Sequence, residues 1–225
     1  MFNGLYINLD RRPDRRAHME AEFARLGLGE RYTRLRAIAD AKPESGCFRS
    51  HLKALDEARR TGGVVHVLED DSILSDEFVR FMESDRLPAL LEQVDILFFD
   101  MWIDPFDEVI ARYQAAVEEG SGVLPLAGDV RIGAMSSYVV APRSFGKVRK
   151  LWRRHLDDGK PIDTVCDRLV KEGALTAALT VPFLTGVDID SGTASDVSIL
   201  TPASQEGLVK LRTRFFVDRA RQTYI

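Results

Sequence analysis

The stretch VVHVLEDDSILSDEF, residues 64–78, sets Glu69, Asp70 and Asp71 side by side directly after an apolar run. Adjacent carboxylates repel one another, and the arrangement is cheap only where a cation, a set of donors or open water meets them. Hard carboxylate oxygens suit Mg²⁺ or Mn²⁺, and such an ion, held by one or two carboxylates, usually completes its shell with water and substrate phosphates. The chemistry suggested is a metal-bound diphosphate. The plainer alternative is an acidic strand end where Asp70 or Asp71 caps the next turn, and these three residues alone leave both open.

Other ways of handling phosphate or activating a nucleophile fail on spacing. The P-loop pattern is broken around Gly146-Lys147, where Ala141 stands for its first glycine and Val148 follows the lysine. No G-x-G-x-x-G follows the first apolar run, and no G-x-S-x-G elbow occurs. His18, His51, His66 and His155 fall in no recognised nucleophile or metal motif. Cys47 and His51, four apart, could share a helix face, but no second pair follows at zinc-like spacing, so a structural or ligand-contact role is the better reading. His66, inside an apolar run, reads as a core histidine.

The elements that must position these residues alternate. LYINL reads as a buried strand, and Pro13 opens a helix that glycines 27 and 29 close. YTRLRAI reads as a second strand. A helix opened near Ser45 and closed by Gly62-Gly63 leads into a third strand, GVVHVLED, whose end carries the acidic triplet. VDILFFDMW, AMSSYVVAP and LTAALTVPFLT supply further strands, with helices in PRSFGKVRKLWRRHL and PIDTVCDRLVKEG. Beyond Asp188 the pattern turns loop-like, and 205–225 reads as a basic amphipathic helix, either docked on the domain or touching an anionic membrane. Alternating strands and helices argue for an α/β layered fold, in which ligands bind beyond the carboxyl ends of the strands.

Composition sets limits. A chain of 225 residues with a net charge of −4 has no overall basic footprint for nucleic acid. Arginines bunch at 11, 12, 15 and 16 and again at 212, 214, 219 and 221; each cluster is either a solvated face or a phosphate contact. Two cysteines make no disulfide framework. No run reaches the ~20 apolar residues of a membrane span, and the short apolar start lacks a basic region before it, so a cytoplasmic protein is expected.

Three segments, YINLDRRPDRR (6–16), GCFRSHLKAL (46–55) and VLEDD (67–71), resemble in order and spacing the successive signatures of glycosyltransferase family 25. That group contains bacterial lipooligosaccharide galactosyltransferases and collagen galactosyltransferase domains. SSYVVAPRSFGKV, then PID at 161–163 and SDV at 195–197, continue the likeness.

The resemblance implies a GT-A-like fold: a Rossmann-like half binding a nucleotide sugar, about 1–103, joined to an acceptor half, about 104–204, around a mixed sheet flanked by helices. It implies a divalent metal, Mn²⁺ or Mg²⁺, on the diphosphate of a UDP-sugar, plausibly UDP-galactose. Asp71 is the expected metal ligand with Glu69 as the other outer member, and Glu69 and Asp70 are also expected near metal-bound water or the donor. Asn8, Asp10 and Arg11 match the first motif; Arg11 or Arg15 is expected to reach phosphate, and Ser50 and His51 to line the donor pocket. Transfer is expected to invert at the anomeric carbon, with Asp163 as base and Asp100, Asp104, Asp188 and Asp190 as competitors. The acceptor is expected to be a glycan or lipid-linked glycan of the cell surface. A non-catalytic relative and a nucleotidyltransferase are the alternatives.

Overall fold

The computed structural model describes residues 2–102, 107–127, 130–187 and 212–218. In chain order the elements are β1 (Asn3–Asn8), α1 (Pro13–Arg25), β2 (Tyr32–Arg36), α2 (Pro43–Thr61), β3 (Val65–Glu69), β4 (Ser72–Leu74), α3 (Asp76–Met82) and α4 (Arg86–Leu91). They continue with β5 (Ile96–Phe98), α5 (Asp107–Glu118), β6 (Val123–Leu126), β7 (Ser137–Val140), α6 (Phe145–Arg154), α7 (Ile162–Lys171), β8 (Ala177–Thr180) and β9 (Thr185–Val187). The fold is α/β, as the alternating pattern predicts.

Seven strands form one mixed sheet in the order β2-β1-β3-β7-β5-β8-β6. β1 runs parallel to β2 and β3, and β5 parallel to β8, while β7 and β6 run antiparallel to their neighbours. The chain goes from β1 out to β2 on one side and returns across β1 to β3 on the other. The strand order therefore reverses between β1 and β3, and it is beyond the carboxyl ends at such a point that the ligand crevice of an open α/β sheet lies.

Side chains alternate across the sheet as its pleat demands. Leu5, Ile7, Val65, Val67, Ile96, Phe98, Tyr138 and Val140 enter one buried cluster, with α2, α6 and α7 against it. Tyr6, Leu68, Leu97 and Val139 enter the other, under α1, α3 and α4. His66 is fully buried on that second side, where Tyr32 Oη lies 2.6 Å from Nδ1 and Ser137 Oγ 2.9 Å from Nε2. Burial holds its pKa down to about 3, so it is a neutral core group.

Local signals explain most boundaries. Pro13 occupies the first turn of α1, with Asp14 beside it, and Gly27 takes a positive φ of 67° just past the end. The second helix begins at Pro43 rather than near Ser45, because proline's fixed φ and missing N–H suit a first helical turn. The run after Asp71 holds an extra short strand: β4 pairs with β9 in a separate two-stranded sheet. Ser75 then caps α3, accepting from Phe78 N–H at 3.1 Å.

Of the basic helix expected over 205–225, only 212–218 is described. Residues 212–214 are helical, Phe215 and Phe216 are buried, and Phe183 N–H donates to Phe215 O at 2.7 Å. The SDV motif at 195–197 and the candidate bases Asp104, Asp188 and Asp190 lie outside the described residues. No helix among the described residues is long and apolar enough to cross a membrane.

Candidate active site

Asn8 ends β1 and Glu69 ends β3, with Ile7 opposite Glu69 in the parallel register, so both chain ends open into the same crevice. Asn8 is buried and ties the crevice together. Its Nδ2 donates to Asp70 Oδ2 at 2.7 Å and to Arg12 O at 3.0 Å, and its Oδ1 accepts from Arg34 Nε at 2.7 Å. Helix α1 begins just beyond this turn and delivers Arg15, also buried. One guanidinium nitrogen of Arg15 stands 2.9 Å from Asp70 and 3.2 Å from Asp71.

The three consecutive acids meet different fates. Burial pushes Asp71 up to about 6; the charges of Glu69 and Asp70 add to that, and Arg15 and Arg212 only partly oppose it. Asp70 is raised for the same first reason, with Arg15 and Asn8 opposing. Burial also acts upward on Glu69, but the hydrogen bond from His51 and the charges of His51, Arg15 and Arg212 outweigh it and hold its carboxyl below the usual range. The acidic turn therefore holds two carboxylates that burial pushes up beside one that His51 keeps below its usual range.

His51 reaches this turn from helix α2. It is buried, its Nδ1 lies 2.9 Å from Tyr138 Oη, and its Nε2 lies 3.3 Å from Glu69 Oε1. Cys47, one turn earlier on the same helix face, places Sγ 3.9 Å from that same oxygen. Ser50 is buried on a different side: its hydroxyl donates to Gly46 O at 2.7 Å and accepts from Ile38 N–H at 2.8 Å. The helix lies so close to the 38–40 loop that a Cβ on Gly46 would come within 2.5 Å of Ile38 O. Ser50 and Gly46 thus fasten the helix that carries His51.

The remaining expected residues spread around the crevice. Asp10 is half-exposed and pairs with Arg34 at 2.7 Å and Arg36 at 2.6 Å, while Arg11 is exposed in the turn after β1. Asp163 opens α7 and is partly buried. Its Oδ2 accepts from Ala134 N–H at 3.2 Å and its Oδ1 from Thr164 N–H at 2.7 Å. Ala134 has a positive φ of 67°, so this bond steadies a strained turn before β7. Asp163 also lies near enough to Cys47 to help raise its thiol pKa, after burial and Glu69.

One group had no place in the sequence reading of the site. Arg212, whose plain reading was a solvated helix face, is fully buried; it pairs with Asp100 and donates to Ser136 Oγ at 2.6 Å. Its guanidinium carbon stands 5.4 Å from the centre of the Trp102 ring. Its charge acts on both Glu69 and Asp71. The available signal was Phe215 and Phe216, three and four residues on, which mark the face of Arg212 as a buried one.

No family model matches the chain, and no curated protein matches it. Among solved structures, it is similar to the galactosyltransferase LgtC in complex with donor and acceptor sugar analogs, at 11% identity over 100% of this chain and 97% of that one, with a TM-score of 0.47. An active-site mutant of LgtC gives 12% identity over 80% of this chain and 72% of that one, at 0.46. An inositol-1-phosphate CTP transferase from T. maritima gives 10% identity over 91% and 75%, at 0.39.

Proposed function

We propose that the protein is a metal-dependent, inverting glycosyltransferase that moves a sugar from a UDP-sugar such as UDP-galactose to a hydroxyl of a glycan or lipid-linked glycan. The observation carrying this reading is the acidic turn at the reversal of strand order, where two of three consecutive carboxylates, Asp70 and Asp71, share one interposed guanidinium nitrogen and the third, Glu69, meets His51. The motif resemblance to glycosyltransferase family 25 supplies the substrate class, and with it a setting in surface polysaccharide synthesis.

The residues fit a hard divalent cation. Asp71 keeps part of its side chain exposed, at 18%, and burial together with the charges of Glu69 and Asp70 pushes its carboxyl up, a strain on the ionised form that a Mn²⁺ or Mg²⁺ ion would relieve. Asp71 would hold it, with Glu69 as the second carboxylate; when bound, it supplies positive charge to the departing diphosphate. Asn8 and Arg15 keep Asp70 and Asp71 oriented, and Arg15 or Arg11 is the proposed phosphate contact. Asp163, held by two backbone N–H groups, is the proposed base that takes the acceptor proton. His51 holds Glu69 ionised and in place.

Mn²⁺ with UDP is expected to raise the melting temperature of the wild type, and Asp71→Asn to abolish that rise. Absence of any metal-dependent UDP shift in the wild type overturns the reading. A binding module without chemistry would show the shift but no slow hydrolysis of any UDP-sugar.

A further inference from the structure

The sequence offers Cys47 and His51 only as an unsupported pair; the fold brings a third group to them from another element. Glu69, at the end of β3, turns its Oε1 toward both, 3.3 Å from His51 Nε2 and 3.9 Å from Cys47 Sγ. All three ligand atoms lie within 4.8 Å of one another. Ligand atoms around a tetrahedral zinc sit roughly 3.3–3.6 Å apart, given Zn–N and Zn–O near 2.0–2.2 Å and Zn–S near 2.3 Å. Closing this cluster on an ion needs only small side-chain movements.

We propose that Cys47, His51 and Glu69 form a zinc-class cation site that adjoins the proposed carboxylate site at Asp71 and shares Glu69 with it, but takes its other two ligands, Cys47 and His51, from helix α2. Thiolate, imidazole and carboxylate together suit a borderline-soft ion such as Zn²⁺, whereas Mn²⁺ and Mg²⁺ suit oxygen ligands alone. His51 has the outer support usual for a metal ligand, because its second nitrogen is engaged by Tyr138 Oη at 2.9 Å and Nε2 is left facing the other two groups. Cys47 and His51 are the inner walls, while the Glu69 side chain is 33% exposed, so the cluster opens to solvent on that side. The local field is negative: after burial, the charges of Glu69, Asp163 and Glu44 all push the Cys47 thiol up, and each attracts a divalent cation. Binding expels the thiol proton to solvent, so affinity rises with pH. Glu69 uses one oxygen here and retains the other for the turn.

The test is cobalt substitution on the full chain after stripping with a chelator. One equivalent of Co²⁺ is expected to give a thiolate-to-cobalt charge-transfer band with tetrahedral visible bands, and Zn²⁺ to bleach both. Cys47→Ser is expected to lose the charge-transfer band, and His51→Gln to weaken binding at least tenfold, each with circular dichroism matching wild type. Asp71→Asn is expected to keep the band while losing the Mn²⁺·UDP shift, which separates failure of this site from failure of the glycosyltransferase reading. No charge-transfer band in wild type at excess Co²⁺ means a hydrogen-bonded triad only and overturns the proposal, with no variant needed. A band that persists in Cys47→Ser overturns it as well.

Discussion

Asp95, just before β5, and Asp71, just after β3, are both carboxylates withdrawn from water beside the same sheet, yet they reach opposite electrostatic states. Asp95 accepts from Ser144 Oγ at 2.6 Å, Lys147 Nζ at 2.7 Å, Thr176 N–H at 2.9 Å and Thr176 Oγ1 at 3.1 Å. Burial acts upward on it, but those donors dominate and bring its pKa down to about 2. Asp71 has Arg15, shared with Asp70, and two like charges beside it, and it is raised to about 6. A structural acid is surrounded by donors supplied from within the fold. An acid left short of them at a crevice is set up for a cation from outside.

The comparison can be broken most forcefully at Asp95. Asp95→Ala leaves the Ser144 and Thr176 donors without their acceptor inside the fold, and is expected to cost about 3–5 kcal/mol in urea unfolding at pH 7. A loss below ~1 kcal/mol would mean that the donor set contributes little. Asp71→Asn is expected to act the other way. Because the folded pKa of Asp71 lies above its ordinary value of 3.8, its ionised form destabilises the fold; that penalty is absent below about 4 and complete above about 6. The variant should therefore gain ~1–2 kcal/mol at pH 8 and nothing at pH 4, read from unfolding curves across that range. By the same sign, metal-dependent UDP binding by the wild type should weaken as pH falls through about 6, as Asp71 takes up a proton. The smallest effect is expected at an exposed pair. Glu20→Gln breaks the Arg16–Glu20 bridge on the outer face of α1, where both side chains are about half exposed, and should leave the unfolding midpoint unchanged. A measurable loss there would blur the line between enclosed and surface charges.

The apolar strands and the helix opened at Pro13 were legible because they depend on neighbours along the chain. Pro13, Gly27 and the apolar runs at 65–68 and 96–99 act locally, and the structure follows them to within a few residues. The acidic triplet was legible as a strand end for the same reason. What surrounds it was not. Arg15 lies fifty-five residues from Asp70, and Arg212 seventy-six from Ser136, and no periodicity links such pairs. Cys47 and His51 announced only a shared helix face. The division of labour among Glu69, Asp70 and Asp71 was also out of reach, since it depends on which donor the fold brings to each.

The sequence by itself determined the alternation of layers and the position of three acids at a strand's carboxyl end. Those follow from propensity and pattern, which act over a few residues. Only the tertiary structure decided that β1 and β3 are neighbours where the strand order reverses, and that His51 meets Glu69 while Arg15 sits between Asp70 and Asp71. Charge and hydrogen bonding act through space at distances of about 3 Å, so the chemistry of each acid depends on its neighbours in the folded chain.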